Sequence, residues 1–413
     1  MEFDGYRHNY LMGYEPERRD RMLDLVYRDL PVSTLRVWLR YKETATLDEL
    51  KAAFYAGYVD NGMLAAIRAR GVKQLLLAPA RGETAPVESM QSYTRRVAQF
   101  IKDIELERGV RIDVTGIANE PAGFSAAQLA EAAWRLRAEL DARGLQRVGV
   151  IGPECASADA CMTRAIDAMK ADTAVWAALR GIASHTYNMG ANDAIANRIA
   201  GTGKEYWQTE AGKQTMWRGT EEELGNDAEA STVAARFLSD MNHLVTHWFW
   251  FMGVQVYDPH PQRDGGQELV RPNNSTGGIK IFTKYYYLKQ LLTQAFDRGA
   301  VFRRATSMQE RDMGWTYGRK PAITAAAARN PDGSWGIGVV NTTGIPDNSI
   351  SVYYPAATYE VTIQLPPQAP LRFALSRGSA TASLQSEGEM MANTARQIKV
   401  VVRPHELVTL RSR

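Results

Sequence analysis

The chain has 413 residues, of which 45% are hydrophobic and 23% are charged, and this predicts one large globular domain with a smaller one. The 49 basic and 46 acidic side chains leave a net charge of +3. So small a charge argues against a nucleic-acid groove, and we expect no nucleic-acid partner. No run of about 18 apolar residues occurs, so we expect no membrane span.

The N-terminus and the cysteines bear on the cellular compartment. Residues Met1–Gly5 lack the basic and apolar regions of a signal peptide, as in a mature or trimmed chain. Cys155 and Cys161 are the only cysteines, and no nearby His or Cys completes a four-ligand zinc site. We interpret them as two free or locally bridged thiols and expect neither a metal nor a cofactor.

From about residue 32 to 251, short apolar segments alternate with longer amphipathic ones, which predicts repeated βα units around a buried parallel sheet. An eighth strand near Glu2–Tyr6 is needed to close a (β/α)8 barrel. The other predicted strands lie near Thr34–Trp38, Lys73–Ala78, Asp113–Ala118, Arg147–Ile151, Gly181–His185, Lys204–Thr209 and Val245–Phe251.

The helices between these strands are indicated by their period. Apolar residues from Tyr93 to Ile104 fall on one face, as a helix that covers a barrel requires. Ser125 and Gln128 have the spacing of a capping box, so a helix begins just after the Asn119–Pro121 loop. Apolar residues from Val233 to Met241 predict a further helix before the last strand.

Beyond Pro272 an aromatic helix, Tyr285–Leu292, leads into short β-like runs separated by turn residues. This texture predicts a C-terminal β-sandwich. We therefore expect a barrel domain over 1–280 and a sandwich domain over 281–413. The predicted sandwich strands are Ala322–Ala328, Trp335–Val340, Ile350–Tyr354, Tyr359–Ile363, Ile398–Val402 and Leu407–Leu410.

Two glutamates follow barrel strands at their carboxyl ends, where such folds place their sites. Glu120 follows an apolar strand and precedes a capped helix, with Asn119 beside it able to hydrogen-bond a sugar hydroxyl. Glu210 ends the strand Lys204–Thr209 and precedes small residues that leave space for a ligand. Each alone could be an ordinary loop carboxylate. Counted from the N-terminal strand they end strands four and seven, which a barrel brings to the same mouth.

At these residues the chain resembles the clan A glycoside hydrolases, and within them family 30. Asn119-Glu120-Pro121 matches the pattern of the acid/base after strand four, and Glu210 matches the nucleophile after strand seven. The aromatic segment Lys284–Lys289 resembles the connection to the side β-sandwich of that family. The resemblance implies a monomeric retaining O-glycoside hydrolase that cleaves β-linked plant or microbial saccharides by double displacement. It also implies a secreted or periplasmic location.

The same resemblance gives meaning to four more residues. Arg36 matches an arginine that supports the nucleophile, although the sequence alone also fits a surface charge. His185 and Tyr187 match the site histidine and aromatic after strand six, with a core histidine as the alternative. Trp250 resembles the tryptophan that floors the sugar subsite. A one-residue change of register would instead turn Trp248 or Phe251 inward.

The sequence also departs from the family pattern. The loop Leu77–Thr84 has no aromatic residue, where family 30 members carry a Trp- and Pro-rich segment, so the aromatic subsite wall is in doubt. Family 30 includes enzymes for xylan, β-1,6-linked glucan and galactan, and glucosylceramide. The candidates for reading the substrate follow the last strand and are Tyr257, Asp258, His260 and Arg263.

Two other functions compete with this one. His243 and His247 have the i, i+4 spacing of a metal clasp, but no general-base Glu lies between them, and a strand begins there. The second alternative is a non-catalytic carbohydrate-binding protein on a glycosidase fold. Such a protein would be expected to lack one carboxylate, whereas Glu120 and Glu210 are both present.

Overall fold

The computed structural model describes most of the chain. The described residues are 1, 5, 9–80, 89–187, 189–212, 226–254, 267–273, 276–305, 321–344, 355–379 and 383–413. Four predicted features lie outside this part. They are most of the predicted eighth strand, the loop after the second described strand, the substrate-reading candidates 257–263 and the predicted strand Ile350–Tyr354. Among the described residues, no helix is long and apolar enough to cross a membrane.

A seven-stranded parallel sheet forms the centre of the larger unit, and each strand pairs with the next along the chain. Helices connect the strands and cover the outside, which confirms the predicted barrel class. The strands are β1 Thr34–Arg40, β2 Gln74–Ala80, β3 Val114–Gly116, β4 Gly149–Cys155, β5 Gly181–His185, β6 Glu205–Ala211 and β7 His247–Trp250. The helices are α1 Pro16–Tyr27, α2 Leu47–Phe54, α3 Met63–Arg68, α4 Met90–Arg108, α5 Ala126–Ala142, α6 Ala160–Lys170, α7 Thr173–Ala178, α8 Asp193–Ile199 and α9 Asn226–Asn242.

The open side of β1 is met by the first residue of the chain. The Met1 amino group donates to Thr34 O at 3.3 Å, and Arg36 N donates to Met1 O at 3.0 Å. Gly253, which follows β7, lies so close to Met1 that a Cβ there would be 3.0 Å from Met1 Cγ. Met1 thus lies between β1 and the segment that follows β7.

The predicted capping box is present at the N-terminus of α5, which confirms where this helix begins. The Ser125 hydroxyl accepts a hydrogen bond from Gln128 N at 3.2 Å, and the Gln128 side chain accepts one from Ser125 N at 2.8 Å. Both bonds satisfy amide groups that a helix N-terminus leaves without intrahelical partners. The chain thus passes from β3 into α5 between Gly116 and Ala126, and Glu120 lies in this connection.

Two faces of the sheet form separate cores. One side chain from each of β2 to β7 fills the barrel interior: Leu76, Val114, Ile151, Ala183, Trp207 and Phe249. The alternate residues of the same strands point outward and pack on the helices, as the two-residue period of a strand requires. Above these six apolar side chains, the interior of the barrel is lined by polar side chains at the carboxyl ends of the strands.

The C-terminal part is a β-sandwich, as predicted, and is entered through α10, Thr283–Gln290. A six-stranded sheet in the order β10-β11-β12-β17-β14-β15 packs over the pair β13–β16. The strands are β8 Val270–Pro272, β9 Ile279–Ile281, β10 Val301–Arg303, β11 Ile323–Arg329, β12 Trp335–Asn341, β13 Tyr359–Gln364, β14 Arg372–Gly378, β15 Gln385–Met391, β16 Gln397–Val402 and β17 Leu407–Ser412, of which β8 and β9 form a separate hairpin.

The hydrophobic cores bear on the predicted division at residue 280. Tyr285, Leu288 and Phe296 belong to the same buried cluster as the barrel helices, while the sandwich core begins at Ile323. α10 is thus packed as an outer helix of the barrel that leads to the sandwich. The boundary itself stays a prediction.

Candidate active site

Six of the seven predicted site residues lie together at the mouth of the barrel, at or just after the strand ends. Arg36 lies on the inner face of β1, and His185 and Glu210 are neighbours across β5 and β6. Asn119 and Glu120 follow β3, where their amide groups donate to Pro79 O at 2.8 Å and Glu154 O at 3.1 Å. These bonds hold the Asn119-Glu120 turn between the ends of β2 and β4.

Arg36 is completely buried and links the groups around it. Its Nη1 donates to Glu210 Oε2 at 2.7 Å, and its Nη2 donates to Asn119 Oδ1 at 2.5 Å. The guanidinium also lies over the Trp38 ring, 4.6 Å from its centroid. An arginine in an apolar strand requires compensation for its charge, and Glu210 provides it here. The expected support of the Glu210 carboxylate by Arg36 is therefore present in the geometry.

Glu210 is held at both carboxylate oxygens. Arg36 donates to Oε2, and the Tyr187 hydroxyl donates to Oε1. Its side chain is only 7% exposed. The space beside the neighbouring Gly212 is occupied by the Tyr187 ring and not by a ligand, because a Cβ at Gly212 would be 3.1 Å from that ring. Two charge-assisted hydrogen bonds fix the carboxylate in one orientation.

Glu120 is more accessible than Glu210, with 26% of its side chain exposed. Its Oε1 lies 3.0 Å from His185 Nδ1. Glu120 has a φ of +44°, in the left-handed region that a residue with a side chain rarely adopts. Such a backbone conformation persists only where its surroundings enforce it, and here the turn between β3 and α5 does so.

The two glutamates lie close to one another. One oxygen of Glu120, one oxygen of Glu210 and one nitrogen of His185 lie within 4.8 Å of one another. Such a cluster is also what a metal ion would require. The Arg36 guanidinium, however, already donates to Glu210 and lies 3.4 Å from His185 Nε2. A cation in this cluster would therefore have to displace or tolerate a buried positive charge.

The charges around His185 determine where the proton resides. Burial alone would lower the pKa of His185, but the charge of Glu210 and the hydrogen bond and charge of Glu120 raise it above its ordinary value of 6.5. Burial likewise opposes the shift of Glu120, but the hydrogen bond to His185 and the charges of His185 and Arg36 lower the pKa of the Glu120 carboxyl. These charges favour the protonated form of His185 and the ionised form of Glu120.

Trp250 does not face the site, and the structure corrects this prediction. Its side chain is 2% exposed, its indole donates to Gln267 O at 2.6 Å, and it stacks near Trp248 on the outer face of β7. Phe249 fills the barrel interior. Because side chains alternate along a strand, the following side chain that faces inward is that of Phe251. Phe251 is half-buried and donates its amide to Ala211 O at 2.7 Å.

Sequence reasoning missed one member of the site, Glu154. This residue is the penultimate one of β4, is fully buried, and approaches Arg36 Nη2 with its Oε1 at 3.5 Å. The predicted strand, Arg147–Ile151, ended three residues before Glu154. A usable signal was present, since Glu154 has the same place at a strand's carboxyl end as Glu120 and Glu210.

The histidines of the metal alternative are engaged elsewhere. His243 Nδ1 lies 2.7 Å from Ser239 O at the end of α9, whereas His247 stacks on Trp207 with ring centroids 3.6 Å apart. Burial lowers the pKa of His247 to about 4, against the opposing charge of Glu205. Neither belongs to the ligand cluster found among the described residues.

No protein-family model matches the sequence, and no curated protein matches it. Solved structures do match along nearly the whole chain. The catalytic domain of a family 30 xylanase C from Talaromyces cellulolyticus is 14% identical with a TM-score of 0.67, covering 100% of this chain and 95% of its own.

Two further structures give the same result. A family 30 subfamily 8 xylanase from Clostridium acetobutylicum is 14% identical, with a TM-score of 0.64 and coverage of 95% and 92% of the two chains. An endo-β1,6-glucanase is 17% identical, with a TM-score of 0.67 and coverage of 99% and 89%. At these identities the likeness concerns the fold. The chain therefore has the fold of the family 30 glycoside hydrolases, a barrel with a side β-sandwich.

Proposed function

We propose that the protein is a retaining β-glycoside hydrolase with Glu210 as the nucleophile and Glu120 as the general acid/base. The observation that carries this proposal is the approach of the two carboxylates, since one oxygen of Glu120 lies within 4.8 Å of one oxygen of Glu210. Retaining pairs are about 5–5.5 Å apart, whereas inverting pairs need about 6.5–9.5 Å to admit a water molecule. The spacing here supports direct attack on the sugar.

The environments of the two carboxylates support their different roles. Glu210 is nearly enclosed and is oriented by Arg36 and the Tyr187 hydroxyl, as a group that must attack from one direction requires. Glu120 is more exposed, so it can meet a leaving group and later a water molecule. In the first step Glu210 forms a bond to the anomeric carbon while Glu120 protonates the departing oxygen. In the second step Glu120 takes a proton from water, which displaces Glu210.

His185 supplies the proton that Glu120 needs in the first step. The raised pKa of His185 and the lowered pKa of Glu120 favour the proton on His185 in the free protein, and Nδ1 is 3.0 Å from Glu120 Oε1. Transfer along this hydrogen bond produces the neutral Glu120 acid without a charge leaving the site. Because His185 has a raised pKa, the pair retains its proton at a higher pH than an isolated carboxyl group would.

The substrate class follows from the resemblance, and we propose β-linked plant or microbial saccharides, bound by the protein as a monomer. Asn119 and the inner face at Phe251 are in position to contact the sugar, and Trp250 is not. A disulfide joins Cys155 to Cys161 at the end of β4, so of the two alternatives for these cysteines the locally bridged one is found. Disulfides persist in oxidising compartments, which supports a secreted or periplasmic location.

The rival function, a carbohydrate-binding protein without catalysis, is less well supported. In such a protein, selection would no longer maintain the two carboxylates at this spacing or the hydrogen bonds from Arg36 and Tyr187 to Glu210. Turnover of any aryl β-glycoside by the wild type, lost in the Glu210 variant, separates the two functions.

The test compares Glu120→Ala and Glu210→Ala on aryl β-glycosides with good and poor leaving groups. Glu210→Ala should abolish turnover on all of them, because no covalent intermediate forms. Glu120→Ala should lose about 10²–10⁴-fold on poor leaving groups and much less on dinitrophenyl glycosides. Azide should then rescue Glu120→Ala and give a product of retained configuration, assigned by NMR.

A matched control uses Glu205→Gln, which changes a carboxylate at the opposite end of the same strand β6. Glu205 pairs with Arg180 and contacts no member of the site, so activity should stay near that of the wild type. Equal losses of Glu120→Ala on good and poor leaving groups, or rescue of Glu210→Ala with retained configuration, would contradict the assigned roles.

A further inference from the structure

A third carboxylate lies behind the proposed catalytic pair and has no part in the two displacement steps. Glu154 has a fully buried side chain at the end of β4. Its Oε1 lies 3.5 Å from Arg36 Nη2, and its Oε2 has no hydrogen-bond partner among the residues that the structure describes. Burying a carboxylate with so few partners is costly, so its position requires an explanation.

The backbone around Glu154 is adapted to hold it there. Glu154 has a φ of +61°, and its carbonyl oxygen accepts the amide of Glu120, which is itself in the left-handed region. Two consecutive strand ends thus carry a glutamate in a conformation that glycine adopts more easily. Non-glycine residues in this region concentrate at functional sites, where the surroundings over-determine them.

Gly116 on the neighbouring strand β3 provides the space for the carboxylate. A Cβ at this position would lie 2.0 Å from Glu154 Oε2 and 2.8 Å from its Cδ. No side chain other than hydrogen fits there unless Glu154 moves. The Glu154 carboxylate therefore lies with Oε2 against Gly116 and with Oε1 beside Arg36.

Arg36 is consequently placed between two carboxylates. Glu210 binds Nη1 at 2.7 Å, and Glu154 lies 3.5 Å from Nη2. The positive charge of Arg36 is shared between them, so it neutralises Glu210 only in part. A nucleophile that is completely neutralised by a cation attacks less readily, since the attractive interaction has to be given up as the new bond forms.

We propose that Glu154 is a positioning residue that, together with Asn119, holds Nη2 of Arg36 and limits how strongly Arg36 stabilises the ionised form of Glu210. This inference rests on the proposed function, because it assigns a consequence for the reactivity of Glu210. Gly116 takes part by leaving room for the Glu154 carboxylate. Neither residue touches the reacting atoms.

The experiment measures the pH dependence of kcat/KM on an aryl β-glycoside for Glu154→Gln, Glu154→Asp and Gly116→Ala. In Glu154→Gln, Arg36 keeps its bond to Asn119 but has Glu210 as its one carboxylate neighbour among the described residues, so the acid limb should move to lower pH by about one unit. Gly116→Ala displaces the same carboxylate from the other side and should move the limb in the same direction by less. Glu154→Asp keeps the charge and should retain a limb near that of the wild type.

The matched control is Glu406→Gln in the sandwich. Glu406 is also buried and accepts a hydrogen bond from an arginine, Arg377 Nη1, at 2.6 Å. Its loss should lower the melting temperature without moving the acid limb. A purely structural role of Glu154 would give the same pattern as Glu406→Gln, and that result would overturn the proposal.

A second readout does not require activity. In protein labelled with ¹⁵N-arginine, the Nη signals of Arg36, assigned with Arg36→Lys, should shift in Glu154→Gln and in Gly116→Ala but not in Glu406→Gln. Unchanged Arg36 signals would overturn the proposal whether or not the protein cleaves a glycoside. A wild type that cleaves no glycoside would instead refute the proposed function, while the NMR comparison would still decide whether Glu154 holds Arg36.

Discussion

Replacement of Arg36 should destabilise the barrel far more than replacement of an ordinary arginine. Arg36 is 0% exposed, and its guanidinium is the cation nearest to Glu210 and Glu154 among the described residues. In Arg36→Met these carboxylates stay in a buried site without that charge. Breaking a buried ion pair on one side costs about 3–5 kcal/mol, and we expect a loss of that size in the free energy of unfolding at pH 7.

Arg36→Lys gives an intermediate case. A lysine retains the charge but has one nitrogen, whereas Arg36 donates from Nη1 to Glu210 and from Nη2 to Asn119. At least one hydrogen bond is then lost, and a bond to a charged group contributes about 1.5–3 kcal/mol. The control is Arg198→Met, because Arg198 pairs with Asp167 at the surface and such pairs contribute about 0–1 kcal/mol.

The assay is equilibrium urea unfolding followed by tryptophan fluorescence at pH 7 and at pH 4. At the lower pH, protonation neutralises part of the unpaired carboxylate charge, so the loss in Arg36→Met should become smaller. If Arg36→Met lost no more stability than Arg198→Met at pH 7, the charges at the barrel mouth would not be coupled as their distances indicate. A loss that grew at low pH would refute the same reasoning.

Three further predictions concern protons and metals. In His185→Asn the basic limb of kcat/KM should move to lower pH by about one unit or more, because Glu120 then lacks the partner with the raised pKa; an unmoved limb would exclude His185 as the proton source. Burial raises the pKa of Asp240 to about 7, so the contribution of this group to stability is fully present below about pH 4 and is lost as the pH rises through 7. Urea unfolding at several pH values should show that wild-type stability falls over that range by up to about 4 kcal/mol, with a flatter slope in Asp240→Asn. Prolonged chelation should leave glycosidase activity intact, since carboxylates provide the charge stabilisation, and activity that returned only with added zinc would revive a metal mechanism.

The strand and helix periods were sufficient to predict the larger unit from its residues. Strands β1, β2 and β5 lie within two residues of their predicted limits, because buried parallel strands are nearly continuous apolar runs between legible amphipathic helices. The pairing of Glu120 with Glu210 was also predictable, since both follow strands whose carboxyl ends a barrel brings together. Local sequence encodes these features directly.

Other strands had no such signal. β15, Gln385–Met391, is an edge strand that is exposed along nearly its whole length, and β14 beside it carries a β-bulge near Ala374. β15 has no buried face and so no alternation of apolar and polar residues to detect, while the bulge interrupts the alternation of β14 after its buried Phe373. These two strands were recognisable only once β17 had paired with β14.

The sequence by itself determined which residue types stand at the strand ends, and therefore that two carboxylates and an arginine would share the barrel mouth. Only the tertiary structure decided which aromatic of β7 faces inward, because Trp248, Phe249 and Trp250 are all compatible with either face. Packing of Phe249 near Trp207, together with a shift in the β6–β7 register, selects the face. It also decided that Glu154 would approach Arg36, since that contact joins two strands 118 residues apart through a space that Gly116 leaves open.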